Sequence, residues 1–217
     1  MAYGDSPYLL AELKALLARP TTDEALPDSQ AYLWLANSQR YWVGQIAILF
    51  PNVMLEAPET MTTSDSGYTW TVAYEPVSAL QVYDRSGGRL LVPGAEWDTN
   101  ADYVPQGQTI RITGHRQRSV APVARYVKLP GALDGSTAPV LKPTQLRDLL
   151  PPRAAYLFAS SGGLYDPAPY LALETRLWSG DPERPGDTGL LGALRKMNTM
   201  QTTAAGRDWW VSPDFWR

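Results

Sequence analysis

Apolar residues recur at helical spacing in the first fifty positions of the chain. Asp5 or Ser6 is a suitable N-cap and Pro7 fits a first turn. Leu9, Leu10, Leu13, Leu16 and Leu17 then repeat every three or four residues, with Glu12 and Lys14 between them, which predicts a helix stopped by Pro20. Asp28 is placed to cap a longer second helix. In it Tyr32, Leu35, Ala36, Val43, Ile46, Ala47 and Phe50 form one stripe, and Pro51 ends it. Trp34 and Trp42 lie outside that stripe and widen the apolar surface beyond one face. A helix apolar on more than one face is either deeply buried or touches another chain, so these two tryptophans are the candidate inter-subunit residues.

From Asn52 the period changes to two. Tyr68, Trp70, Val72 and Tyr74 alternate with Thr69, Thr71 and Ala73, the pattern of a half-exposed strand. Leu80–Tyr83 and Arg89–Val92 flank Asp84-Arg85-Ser86-Gly87-Gly88 and read as a hairpin. Thr109–Thr113 is a further short strand and Ala124–Val127 another candidate, within an irregular stretch from about 115 to 143. Helical signals return after Pro143. Leu146, Leu149 and Leu150 begin the pattern. Ala154, Ala155, Leu157 and Phe158 continue it beyond Pro151-Pro152, up to Gly162-Gly163. Asp166-Pro167 opens a helix with Tyr170, Leu173, Leu177 and Trp178 that stops at Gly180. Asp187 is placed to cap a last helix with Leu190, Leu191, Leu194 and Met197.

The order of elements predicts an α+β fold: a helical bundle built from the N- and C-terminal helices, about 5–50 and 143–201, with an antiparallel β region inserted at about 52–128. Residues 1–201 form the body. Thr202-Thr203-Ala204-Ala205-Gly206 reads as a flexible spacer, and residues 202–217 as an extended C-terminal arm. That arm ends in Arg207-Asp208-Trp209-Trp210-Val211-Ser212-Pro213-Asp214-Phe215-Trp216-Arg217, with three of the chain's eight tryptophans. Chain ends are ordinarily polar and loosely held, so Trp209, Trp210, Phe215 and Trp216 call for a burial site and are the candidate anchors on a neighbouring protein.

Composition narrows the chemistry. The 217 residues include no cysteine, which excludes disulfides, thiol catalysis and cysteine-based zinc sites. The lone His115 cannot form a histidine metal cluster, and neither Gly87-Gly88 nor Gly162-Gly163 has phosphate-loop spacing. The expectation is therefore no catalytic residue, no metal and no cofactor. Net charge is −3, so no overall basic field favours nucleic acid or acidic membranes. The only basic cluster is Arg111, His115, Arg116, Arg118, Arg125 and Lys128. No apolar run approaches the roughly 20 residues that span a bilayer, and no signal peptide is expected. Glu96 and Asp98 flank Trp97. With Trp70 and nearby tyrosines they give the alternative reading, a glycan-binding or glycan-cleaving domain with aromatic platforms and paired acids. The plainer expectation there is polar positions around a buried Trp97.

The layout as a whole supplies a further clue. A short leucine-rich helix precedes an acidic, proline-bearing turn. Then come the long helix containing Asp28-Ser29-Gln30-Ala31-Tyr32-Leu33-Trp34-Leu35-Ala36-Asn37-Ser38-Gln39-Arg40-Tyr41, a β insertion ending in Tyr103–Gly114, a helical return containing Asp166–Glu174, and a tail. From about residue 5 onward this resembles the head-to-tail connector adaptors, or head-completion proteins, of tailed bacteriophages. The resemblance implies a structural virion protein assembled in the host cytoplasm. It implies a ring, commonly of twelve copies, docked on the portal protein at the head-to-tail interface and joined to a tail or second connector protein. DNA would pass through its channel without tight binding, and no catalytic residue carries over. The β insertion is longer here than in the smallest members of that family.

Overall fold

The computed structural model describes the chain apart from residues 1, 19–25, 56–57, 64, 66, 85–87, 96, 99, 114–120, 163–164 and 206–217, and describes the backbone alone at 51–52, 78–80 and 200–205. The fold is mixed α+β. The chain divides into two compact units, residues 1–53 with 130–217, and residues 54–129.

The first unit is helical. α1 (Ser6–Leu16) starts where the Asp5 carboxylate accepts from the Tyr8 N–H, and Leu9 and Leu13 are fully buried. The helix ends before Pro20, which lies outside the described residues, because Ala18 takes a left-handed backbone (φ 51°). α2 (Asp28–Leu49) is capped by the Pro27 backbone. Asp28 therefore does not cap it with its side chain, as the sequence suggested. It occupies the first turn, and its carboxylate instead pairs with the buried Lys14 ammonium of α1 at 2.5 Å. That exchange satisfies a cation that would otherwise be costly to bury. α3 (Pro51–Met54) is a single turn.

A 3₁₀ helix (Thr144–Leu149) leads into α4 (Leu150–Gly162), which holds Pro151-Pro152 in its first turn, where missing N–H groups cost nothing. α4 contacts α1, α2 and α5. Ser38 of α2 donates to the Leu150 carbonyl at 2.9 Å, and the Gln39 side-chain oxygen accepts from Val140 N–H at 2.8 Å. These bonds satisfy the polar groups that α2 buries. Arg147 donates to the carbonyls of Gly4, Pro139 and Leu141, tying the start of the chain to the segment before α4. α5 (Ala168–Ser179) begins where Asp166 accepts from Ala168 N–H, and ends at Gly180. Gly180 has φ 90°, and a Cβ there would collide with the Asp187 carbonyl, so glycine is required on both counts.

α6 (Gly189–Ala205) overturns one expectation. The supposed spacer from Thr202 is helical as far as Ala205, so a body–arm boundary at 201/202 falls inside a helix. Adding a residue to an existing helix fixes one residue for one hydrogen bond, and alanine is the best helix former, so the segment continues the helix without an apolar stripe.

The second unit holds two antiparallel sheets, ordered β1-β7-β4 and β2-β3-β6-β5. The strands are β1 (Glu59–Thr60), β2 (Thr62–Thr63), β3 (Thr69–Thr71), β4 (Pro76–Tyr83), β5 (Tyr103–Gln106), β6 (Thr109–Ile112) and β7 (Val123–Lys128). Met61, Trp70, Val72, Val82, Leu91, Tyr103, Ile110, Ile112, Ala124 and Tyr126 form its core. The main partner of β4 is β7, forty residues on in sequence order, while the local hairpin partner closes through the single bridge Tyr83–Leu90. Pro105 is tolerated because β5 is an edge strand.

Candidate interface on the second helix

α2 buries Leu35, Val43, Ile46 and Ala47, and its remaining apolar side chains divide between two environments. Trp34 is half-buried. Its ring meets Phe158 of α4 edge-on at 6.4 Å, and Phe158 in turn lies 5.9 Å from the Tyr165 ring. Trp42 is only 5% exposed, packed 4.8 Å from Trp178 of α5 and 5.4 Å from Tyr41. Trp42 is therefore covered by its own chain rather than offered to a neighbour. The physical reason is that Trp42 lies seven residues after Leu35 and four before Ile46, on the buried face of α2, where Trp178 of α5 packs against it.

What α2 leaves exposed is a different set. Leu33, Tyr41, Ile48 and Leu49 are 57%, 39%, 74% and 51% exposed, and Leu171 of α5 is 42% exposed. Leu33, Tyr41 and Ile48 are separated by eight and seven residues, which keeps them on one side of the helix. Sequence reading missed Leu33 and Ile48. Each sits beside a stripe residue, and on a helix this apolar no periodicity separates an inward leucine from an outward one.

At the edge of this surface a cleft of about 190 Å³ opens, lined by Tyr41, Trp42, Gln45 and Leu49 of α2, Arg153 of α4, and Leu171, Glu174, Thr175 and Trp178 of α5. Glu174 is 3% exposed, its carboxylate oxygens shut off from solvent beside Arg153 and the Trp42 indole N–H. Its counter-charge is Arg153, with Nη1 3.5 Å from Oε2. The Arg153 guanidinium lies over the Tyr41 ring at 3.7 Å and faces the Tyr156 ring at 5.1 Å. Burial pushes the Glu174 carboxyl upward, and the nearby Arg153 charge and Trp42 indole N–H pull it the other way. Beside the cleft a desolvated carboxylate is thus held by the Arg153 guanidinium and the Trp42 indole N–H between aromatic walls.

Other candidates disperse. Trp209, Trp210, Phe215 and Trp216 lie outside the described residues, as do Glu96, His115, Arg116 and Arg118. The described members of the basic run do not share a sheet: Arg111 is on β6, while Arg125 and Lys128 are on β7. Lys128 sits over the Tyr74 ring at 3.3 Å, and burial lowers the Arg125 pKa. Trp70 is 4% exposed and its indole N–H donates to the Gly67 carbonyl, so it offers no platform for a sugar. Trp97, expected in the interior, is 87% exposed. It occupies a turn in which Asp98 accepts from Asn100 N–H, so no strand carries its ring into the core. Among the described residues no group of three or more histidine, cysteine or acidic side chains is placed to hold a metal ion. No described helix is long and apolar enough to cross a membrane. No protein-family model matches the chain, and comparison with curated proteins finds no match.

Proposed function

We propose that the chain is a structural protein of a tailed-phage virion: a ring-forming adaptor that docks on the portal and joins the DNA-filled head to the tail. The observation that carries this reading is the set of exposed apolar residues on one side of α2, Leu33, Tyr41 and Ile48, interspersed with Asn37 and Arg40. A surface of this kind invites burial against another copy, because removing apolar area from water is the main driving force of association. The layout of the chain supports the same reading. Helical segments from both ends would form one bundle, the β unit would be its insertion, and the aromatic arm would leave it for the portal ring. In this account the protein works by holding neighbours in place, without catalysis, metal or cofactor. Its partners are the portal, adjacent copies in a ring of about twelve by the family resemblance, and a tail or second connector protein.

The reading is tested by mixing the purified chain with isolated portal rings and weighing the products by native mass spectrometry. A complex carrying many copies per portal is expected. A chain that stays monomeric and unbound at every concentration would contradict it.

Duplex DNA should bind weakly. Net charge is −3, and non-specific affinity comes from neutralising phosphates. A dissociation constant no tighter than roughly 10⁻⁶ M at physiological salt is expected from fluorescence anisotropy. Tighter binding would be at odds with a channel through which DNA slides.

A further inference from the structure

We propose that the turn bearing Trp97 is the counter-surface of the contact between copies: the Trp97 indole of one copy seats in the cleft between α2, α4 and α5 of the next. A ring, the reading on which this rests, needs two surfaces. A contact that uses the same patch on both copies closes at a dimer, whereas a ring of more than two copies joins two different patches head to tail. The exposed side of α2 is one such patch. Among the described residues the β unit carries another. Leu90 and Val92 are exposed on either side of the fully buried Leu91, and Trp97 is 87% exposed. No other large apolar side chain among the described residues is as open as Trp97.

The cleft and the indole match in size, polarity and charge. A volume of about 190 Å³ is a space for one large side chain. Glu174 and Arg153 balance each other within the chain at 3.5 Å, so a charged occupant gains nothing there. What the cleft leaves open is apolar wall, the exposed Tyr41, Leu49 and Leu171. An indole buries a large apolar area against such walls, and its N–H needs one acceptor, which the exposed Gln45 amide at the cleft supplies. The charges around the two patches are complementary. Arg89 is paired with Asp102 at 2.7 Å, while Glu96 and Asp98 flank Trp97 in the sequence. α2 has no acid between Leu33 and Leu49, and its exposed side carries Arg40. An acid-flanked indole thus meets a cationic, acid-free helix face, the kind of complementarity that selects a partner and fixes its register.

Two complementary variants of the full chain test the contact. Trp97→Ser removes the indole and keeps the cleft, and Leu49→Asp with Leu171→Asp disables the cleft and keeps the indole. All three positions are exposed, so each variant should melt as the wild type does. Should the aspartates unfold the subunit, Thr175→Trp at an exposed position of the rim blocks the cleft instead. In sedimentation velocity each variant alone should self-associate at least about thirtyfold more weakly than the wild type, the scale of a lost aromatic anchor. Mixed in equal amounts, the two should form a one-to-one heterodimer and nothing larger in native mass spectrometry, because a single intact contact remains. Undiminished association of Trp97→Ser, a mixture that stays monomeric, or a mixture that builds larger species would overturn the proposal. Association that survives Trp97→Ser would overturn this contact alone and leave the ring reading standing. A wild type that is monomeric at every concentration would overturn the contact, and if it also leaves portal rings unbound the adaptor reading falls with it.

Discussion

Cutting the chain after Ala205 should abolish attachment to portal-bearing heads while leaving the remaining protein folded. The cut removes Trp209, Trp210, Phe215 and Trp216 but spares all of α6. Aromatic anchors in a protein interface each cost about 2 kcal/mol or more when truncated, and a ring repeats that loss at every copy. The melting temperature of the truncated chain should stay within about 4 °C of the full chain's, the equivalent of roughly 1 kcal/mol for a chain of this size. The readouts are thermal unfolding and co-sedimentation with heads. If the arm instead folds back on its own body, truncation should lower the melting temperature well beyond that limit. Retained head attachment would sink the docking-arm idea directly.

The second large effect concerns α2. Leu33→Asp with Ile48→Asp should block association between copies, because each change would leave a desolvated, unpaired charge in the interface. Both positions are more than half exposed, so the isolated subunit should unfold as before. A loss of about 2 kcal/mol or more per interface, some thirtyfold in association, is the expected scale in sedimentation velocity. Trp42→Ala makes the opposite prediction. It removes a ring packed on Trp178 and should destabilise the subunit itself by about 3–5 kcal/mol. If the aspartates unfold the subunit, or if association survives them, the exposed side of α2 is not the interface.

The helices were legible because their punctuation is chemical. Asp5 with Pro7, Asp166 with Pro167, and the glycine at 180 mark ends that the backbone itself requires. The strands were only partly legible. β1 and β2 are two residues each, too short to show a period, and the pairing of β4 with β7 joins segments that no local pattern connects. Trp70 and Trp97 show the limit from another side. They are the same residue type, yet β3 turns one into the core and a turn leaves the other in solvent.

The cleft was illegible for a different reason. Its parts come from three helices, and a site assembled by tertiary packing has no spacing in the sequence. One local signal existed: Glu174 and Trp178 are four residues apart, so an acid and an indole share a face of α5. That face also carries Tyr170 and Leu177 of the predicted apolar stripe, and an acid within such a stripe is the kind of conflict that marks a site. Trp42 sits seven residues after Leu35 and four before Ile46, so it belongs to the buried face of α2 and not outside the stripe as the sequence suggested, and the partner that covers it, Trp178, belongs to a helix more than a hundred residues away in sequence.

Imaging the assembled particle by electron cryo-microscopy tests the central claim most directly. The account predicts a closed ring of this chain at the head-to-tail junction, with the exposed side of α2 turned to an adjacent copy and the last twelve residues, 206–217, against the portal. A particle in which this chain is absent from that junction, or present there without contact between copies, would contradict it.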